Sequence, residues 1–156
     1  MAAMSDFLEN KFLDWLLRAQ AIGITGATAA AGTGPATTYV ALLTAAPSDA
    51  GGGTEVTGGS YARVAITSAL ANWAGTQGAG STVASSGTGG TTSNNGAVTF
   101  PAPTANWGVV THIGIYDAAT AGNLLIWSAL TTAKTINNGD AAPSFAAGAL
   151  TFQSDN

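Results

Sequence analysis

The pattern of hydrophobic and polar positions divides the chain into one helical segment near its start and a series of short β-like runs after it. Between Asp6 and Arg18, apolar residues recur at the spacing of an amphipathic helix. Phe7, Leu13 and Leu17 lie off the main apolar stripe, so apolar surface covers more than half of the predicted helix. The residues on the main stripe are Leu8, Phe12, Trp15 and Leu16.

A helix that packs only on its own domain needs a single apolar stripe, so the wider apolar surface has two explanations. The helix is buried on two sides within one subunit, or it is shared with a neighbouring subunit or another surface. In the second case the side chains that contact the partner are Leu8, Phe12, Trp15, Leu16 and Leu17.

The remainder of the chain predicts a β domain. Residues 1–20 form the helical segment, residues 21–38 a Gly/Ala/Thr linker and residues 39–156 the β domain, in which 74–96 is a long uncharged loop. Short apolar runs separated by turn signals favour an antiparallel β-sandwich or jelly roll over a parallel α/β fold. The predicted strands are Tyr39–Thr44, Arg63–Ile66, Val109–Tyr116, Leu124–Ala129, Ala133–Ile136 and Phe145–Phe152.

Charge is scarce in this chain. It has four Lys and Arg and eight Asp and Glu among 156 residues, and five of these twelve lie between Asp6 and Arg18. A monomer exposed to water on all sides normally has about a quarter of its residues charged. We therefore expect a component of an assembly whose surface is covered by a partner or by copies of itself, as a dimer or a trimer. The sequence predicts neither a membrane span nor a secretory signal.

The residue types exclude several functions. Four scattered basic residues cannot follow a phosphate backbone, so nucleic acid is not an expected partner. Cysteine is absent, and the acidic residues form no calcium-loop pattern, so we expect no metal site and no cofactor. A triad could be drawn through His112, Asp117 and Ser128, but no Gly-x-Ser-x-Gly elbow accompanies it. We predict no catalytic residues and no enzyme activity.

Aromatic residues offer one binding alternative. Trp73 and Trp107 border the uncharged loop and are expected to be exposed or at an interface, where flat rings suit the apolar faces of sugars. Aromatic side chains in a sparse β domain more often fill the core, and mid-strand Trp127 is expected there. Glycan binding is therefore the weaker interpretation.

Three groups of segments resemble a known family. They are the opening helix Phe7–Asp14 with Arg18, a central part Tyr39–Asp49, Thr54–Val56 and Gly58–Arg63, and a β half Thr99–Pro101, Trp107–Gly108, His112–Asp117 and Gly122–Leu125. Together they resemble small virion proteins of tailed bacteriophages that are often labelled tail fibre proteins.

The resemblance implies a structural protein of the phage particle without known catalysis, assembled in the host cytoplasm. Because the chain has no long repetitive shaft, we expect a capsid decoration or cement protein that binds the major capsid protein lattice. In that setting many weak contacts add up through avidity. The alternative is a tail fibre or tail-associated protein that contacts the host surface, with glycan binding as one means of contact.

Overall fold

The computed structural model describes residues 4–23, 34–48 and 50–154. Over these residues the chain is mainly β, with antiparallel strands after one N-terminal helix, which confirms the predicted fold class. The elements are α1 (Asp6–Arg18), β1 (Thr37–Ala45), β2 (Thr54–Glu55), β3 (Val64–Thr67), β4 (Thr91–Ser93), β5 (Val98–Thr99), β6 (Gly108–Tyr116), β7 (Leu124–Ile136), β8 (Ser144–Phe145) and β9 (Thr151–Gln153).

Local sequence sets the limits of α1. Ser5 is the N-cap residue, and Asp6 and Glu9 place negative charge in the first turn, where the helix dipole favours it. The helix ends at Arg18 because Ala19 takes up a left-handed conformation with a φ of 55°. The backbone N–H of Gln20 then donates to the carbonyl of Asp14, which satisfies one of the last helical carbonyls. Among the described residues, no helix is long and apolar enough to cross a membrane.

The largest sheet has the strand order β2-β1-β6-β7, and β3 also pairs with β1. Its centre is the antiparallel pair of β1 and β6, in which Leu42 lies opposite Ile113 and Val40 lies opposite Ile115. These four side chains are almost fully buried, as expected for the continuous apolar run predicted from Tyr39 to Thr44. Two short ladders complete the strand pairing, β4 with β9 and β5 with β8.

The chain divides into two compact units. The first comprises Met1–Ala36, Thr67–Val98 and Phe145–Asn156, and the second comprises Thr37–Ile66 and Thr99–Ser144. The second unit holds most of the large sheet. The first unit contains α1, β4 and β9, and its core includes Leu13, Leu17, Trp73, Leu150 and Phe152. Helix α1 therefore packs in the same unit as the 74–96 segment.

Several predicted boundaries differ from the structure. Strand β1 begins at Thr37, inside the predicted linker, and residues 24–33 of that linker lie outside the described residues. The uncharged 74–96 segment contains β4. A hydrogen bond from the Ala74 N–H to the Ser93 carbonyl joins the start of the segment to this strand. The single run predicted at the C-terminal end is two strands, β8 and β9, because the chain turns between Ala146 and Ala149.

Candidate functional site

The inner face of α1 belongs to the core of the first unit. Leu13, Leu16 and Leu17 are only 2%, 4% and 0% exposed. Leu16 and Leu17 were predicted to contact a partner, and the structure buries both within their own chain. Leu17 lies on the side of the helix that faces the rest of its unit, and Leu16 is covered as well, although it belongs to the main stripe with Leu8, Phe12 and Trp15.

The outer face of α1 is also rich in apolar side chains. Phe7 is 57% exposed, while Leu8, Phe12 and Trp15 are half-buried. The Phe12 and Trp15 rings are 6.2 Å apart between centroids, and the Lys11 ammonium lies 5.9 Å from the centre of the Phe7 ring. This surface, defined by Phe7, Leu8, Phe12 and Trp15, is called the outer face below. Three of its four residues are predicted contact residues, and Phe7 is an addition from the structure.

A buried ion pair fixes the end of α1 to the uncharged segment. Arg18 is fully buried and pairs with Asp14 one helical turn earlier. It also donates hydrogen bonds to the carbonyls of Trp73 at 3.0 Å and Val83 at 2.6 Å. Asp14 in turn accepts hydrogen bonds from the backbone N–H and the hydroxyl of Ser85, at 2.9 and 2.6 Å. Each charge thus has partners on two parts of the chain.

A second contact joins the middle of α1 to the same segment. The Asn10 side-chain amide donates to the carbonyl of Gly87 at 2.9 Å, and its oxygen accepts a hydrogen bond from the Thr76 hydroxyl. The 74–96 segment is therefore held against α1 by polar contacts at both Asn10 and Arg18. In the sequence, the only sign of this arrangement was the i, i+4 spacing of Asp14 and Arg18, which is equally typical of a surface pair.

Trp73 and Trp107, predicted as exposed aromatic contacts, are buried. Trp73 is 0% exposed and its ring lies 5.8 Å from that of Phe152 in an edge-to-face arrangement. Trp107 is 5% exposed, and its indole N–H donates to the carbonyl of Gly59 at 3.0 Å. Each ring fills space in its own unit, so neither provides a surface platform for a sugar.

Trp127 was expected in the core and is instead 38% exposed. It lies on β7 opposite Gly114 of β6, and its ring is 5.9 Å from that of His112. The sequence does not show this exposure, because a tryptophan in the middle of an apolar run has the same appearance in a buried strand and in an edge strand.

The second unit contains a polar network around Glu55. Arg63 forms a two-pronged ion pair with Glu55, with distances of 2.8 and 2.7 Å, and the Tyr61 hydroxyl donates to the same carboxylate at 2.9 Å. That hydroxyl also accepts a hydrogen bond from the backbone N–H of Leu42. Burial and, to a smaller extent, the charge of Glu55 raise the pKa of Tyr61 far above its ordinary value.

Arg63 extends this network to the loop between β6 and β7. Its guanidinium donates to the carbonyls of Ala118 and Ala121 at 2.6 and 2.8 Å and stacks 3.6 Å from the centre of the Tyr116 ring. Hydrogen bonds from Asn123 hold the pKa of the Asp117 carboxyl below its usual range. These contacts connect β1, β2 and the β6–β7 loop within one unit, which is a structural role.

The residues of the hypothetical triad each have other partners. His112 shares a hydrogen bond of 2.8 Å with the Thr111 hydroxyl, Asp117 binds Asn123, and the Ser128 hydroxyl donates to the carbonyl of Ala129. In the described part of the chain, no group of three or more His, Cys, Asp or Glu is placed to hold a metal ion. The arrangement of these groups stabilises strands and turns.

Similarity to a known protein family extends over nearly the whole chain. No curated protein matches the sequence. A family profile described as podophage GP4 fiber I protein gp80 matches residues 3–153, which include α1 and every strand. The match confirms the resemblance to virion structural proteins of tailed phages. The chain belongs to the podophage GP4 fiber I protein gp80 family and is a structural protein of the phage particle.

Proposed function

We propose that this chain is a non-enzymatic structural subunit of a phage tail fibre, or of the tail where a fibre attaches. The observation that carries the proposal is the family match over residues 3–153, because the family is described as a fibre protein. Head decoration, the main prediction from the sequence, receives less support than its tail-fibre alternative for the same reason.

We assign the attachment surface to the outer face of α1. The opposite side of the helix is already buried at Leu13, Leu16 and Leu17, and Arg18 fixes the helix to its unit. The helix is therefore held in one orientation while Phe7 remains 57% exposed. Preorganisation of this kind reduces the entropy that binding must overcome.

The chemistry of the outer face indicates the kind of partner. Phe7, Leu8, Phe12 and Trp15 are apolar, and the charged Lys11 side chain lies over the Phe7 ring. Full burial of one such large apolar side chain is worth about 1.5–3 kcal/mol. Because Phe7 is 57% exposed and the other three side chains are half-buried, a complementary apolar patch on another virion protein would gain about half of that amount per side chain before ordering costs. A glycan partner has less support, since Trp73 and Trp107 are buried.

The position of the protein in the particle tests the fibre assignment. Cryo-electron microscopy of purified virions, combined with quantitative mass spectrometry of the same sample, gives both the location and the copy number. We expect a small number of copies, restricted to the tail vertex. Hundreds of copies distributed over the head would instead support decoration of the capsid lattice and overturn the fibre assignment.

The role of the outer face is tested separately by Phe7→Asp and Trp15→Asp. We expect both variants to fold, because neither residue is fully buried. We expect both to be lost from particles, because each change places a carboxylate in an apolar contact. The matched control is Val109→Asp, which introduces the same charge at a residue that is 48% exposed and lies on β6. Incorporation of both α1 variants at the level of the control would contradict the assignment of this face.

A further inference from the structure

Asparagine followed directly by glycine occurs twice in the chain, at Asn95–Gly96 and at Asn138–Gly139. In such a pair the backbone nitrogen of the glycine can attack the side-chain amide carbon of the asparagine. Because glycine has no Cβ atom, its peptide group approaches that carbon with little steric hindrance. The two pairs have the same local chemistry, so any difference in their reactivity comes from the fold.

The Asn138–Gly139 pair lies in the exposed turn that follows β7. The Asp140 N–H donates to the Asn137 carbonyl at 3.2 Å, and Gly139 has a φ of 81°, as in the third position of a type II turn. All four residues of the turn are exposed. In the part of the chain that the structure describes, Asn138 donates from its backbone N–H and forms no hydrogen bond through its side chain. Its amide carbon is therefore accessible to water and unrestrained.

The Asn95–Gly96 pair is held in place by the fold. The Asn95 side-chain nitrogen donates to the carbonyls of Leu70 and Ser81, each at 3.4 Å. Its backbone N–H donates to the carbonyl of Asn72 at 2.8 Å. The Asn95 side-chain oxygen is buried, and no donor among the described residues reaches it. Attack on the amide carbon would place negative charge on this oxygen, which burial without a donor opposes.

We propose that Asn138 is a site of spontaneous deamidation. The Gly139 nitrogen gives its proton to the solvent and forms a bond to the Asn138 Cγ atom. The bond between Cγ and the side-chain nitrogen breaks, and that nitrogen takes up a proton and leaves as ammonia. Water then opens the resulting cyclic succinimide at either carbonyl, which gives aspartate or isoaspartate. The net reaction consumes water and releases ammonia, and it needs neither an oxidant nor a reductant.

Two hydrogen bonds of the turn control access to this reaction. The Gly139 N–H donates to the Pro103 carbonyl at 3.0 Å, so the attacking nitrogen is released only when the turn opens locally. The Asn138 N–H donates to the side-chain oxygen of Asn106 at 2.9 Å. Each such bond contributes little net stability, because water replaces it when it breaks. We therefore expect the turn to open, and Asn138 to react, without unfolding of β7.

Deamidation changes both the charge and the backbone at the end of β7. A carboxylate at position 138 makes the formal net charge of −4 one unit more negative. Isoaspartate also lengthens the main chain by a carbon atom, which disrupts the turn hydrogen bond between Asp140 and Asn137. The modified subunits form a population that is separable by charge and that increases with the age of the particle.

The two asparagines are compared within one protein. The purified full chain is incubated at mildly alkaline pH, either folded or unfolded in guanidinium chloride. It is then digested with pepsin at acidic pH, where the attacking nitrogen keeps its proton, and tandem mass spectrometry locates the change. In the folded chain we expect Asn138 to react at least about tenfold faster than Asn95, because several hydrogen bonds and a buried oxygen oppose the reaction at Asn95.

The unfolded chain provides the matched control for this comparison. Both pairs then have the same solvent-exposed surroundings, so the difference between their rates should disappear. A smaller ratio than expected in the folded chain, or the same ratio in the unfolded chain, would overturn the proposal. An unmodified Asn138 in the folded chain, after the unfolded chain has reacted, would overturn it as well.

The products and two variants test the route. Aspartate without isoaspartate would show direct hydrolysis of the amide and overturn the cyclic route. Asn138→Gln, whose longer side chain closes a larger ring less readily, should keep its amide under the same conditions. Asn106→Ala removes the acceptor of the Asn138 N–H and should increase the rate at Asn138, while Asn95 keeps its wild-type rate. An unchanged rate at Asn138 in this variant would overturn control of the reaction by the turn contacts.

Discussion

Arg18, the last residue of α1, donates a hydrogen bond from its Nε atom to the carbonyl of Trp73, which lies 55 residues further along the chain. The same guanidinium pairs with Asp14 and reaches the carbonyl of Val83. A single cation with no exposed surface therefore connects a helix, a core tryptophan and an uncharged segment. Helix α1 is held in its unit by this group as well as by its leucines.

Arg18→Met should destabilise the protein strongly. The change removes all the donors of Arg18 and leaves the Asp14 carboxylate buried without its cation. Removal of one partner of a buried ion pair typically costs about 3–5 kcal/mol. We expect a loss of this size in the free energy of unfolding, measured by urea denaturation. The control, Lys134→Met, removes one of the other cations at an exposed position and should change the free energy by less than about 0.5 kcal/mol.

The double variant Asp14→Asn/Arg18→Met measures the energetic coupling between Asp14 and Arg18. If the cost of Arg18→Met comes from the uncompensated carboxylate, the double variant should recover part of the lost stability. Additive losses from the two single changes would contradict a direct coupling between Asp14 and Arg18.

Gly87→Ala tests whether the 74–96 segment has one packed conformation. A Cβ atom at Gly87 would lie 2.2 Å from the carbonyl oxygen of Thr76, a backbone atom that cannot move alone. We expect a loss of about 1–3 kcal/mol in the free energy of unfolding, as is typical of overpacking. Gly89→Ala is the matched control, because a Cβ atom there would meet nothing within 4 Å. Equal effects of the two changes would indicate that the segment has no fixed packing at Gly87.

The elements that could be predicted from sequence are those with a local signal. Helical spacing of apolar residues identified α1, and the continuous apolar run at Tyr39–Thr44 identified the buried part of β1. Both signals arise from burial of a regular element, which sequence periodicity records directly. The Asn-Gly turn after β7 is likewise local, since Gly139 has a φ of 81°.

The features that could not be predicted depend on contacts between distant parts of the chain. A segment of Gly, Ser and Thr, such as 74–96, has no apolar pattern, and its order comes from polar contacts with Asn10, Asp14 and Arg18. Exposure of Trp127 depends on the position of β7 at the edge of the sheet. The order of the strands alone decides that position. Of the predicted contact residues, Leu8, Phe12 and Trp15 lie on the outer face, and Leu16 and Leu17 do not, because periodicity does not say how much of a wide apolar surface the rest of the unit covers.

Arg63→Lys should loosen the loop between β6 and β7. Arginine forms a two-pronged pair with Glu55 and also reaches Ala118 and Ala121, a set of contacts that one ammonium group cannot reproduce. The Arg63 side chain is only 6% exposed, so solvent does not replace the lost contacts. We expect a loss of about 1–3 kcal/mol in the free energy of unfolding.

Hydrogen exchange locates the effect of Arg63→Lys. Amides in residues 117–123 should exchange faster in the variant, while those of β4 and β9, which lie in the other unit, should keep their wild-type rates. Lys134→Arg is the reverse change at an exposed site and should leave both regions unaffected. Unchanged exchange in residues 117–123 would contradict the role of Arg63 as the anchor of this loop.

The raised pKa of Tyr61 should lower the stability of the protein at alkaline pH. Burial, and next the proximity of Glu55 to its hydroxyl, raise the pKa of Tyr61 above its ordinary value of 10.0, so the folded state keeps a proton that the unfolded state loses. The folded state then binds more protons than the unfolded state above about pH 10, and stability falls as the pH rises. The contribution of Tyr61 to stability is fully present below about pH 10. Above that pH it can fall by up to about 1.4 kcal/mol per pH unit.

Tyr61→Phe removes this titration and, at neutral pH, also the hydrogen bonds to Glu55 and Leu42. We therefore expect the variant to be less stable than the wild type at pH 7 and to lose less stability between pH 9 and pH 11, measured by urea unfolding at each pH. Tyr116, whose pKa burial also raises, continues to titrate in both proteins, so the slope should decrease without vanishing. Tyr39→Phe removes a phenol from β1 without altering the Glu55 contact and serves as the control. Parallel stability curves for the wild type and Tyr61→Phe would show that the Tyr61 hydroxyl titrates alike in the folded and unfolded chains.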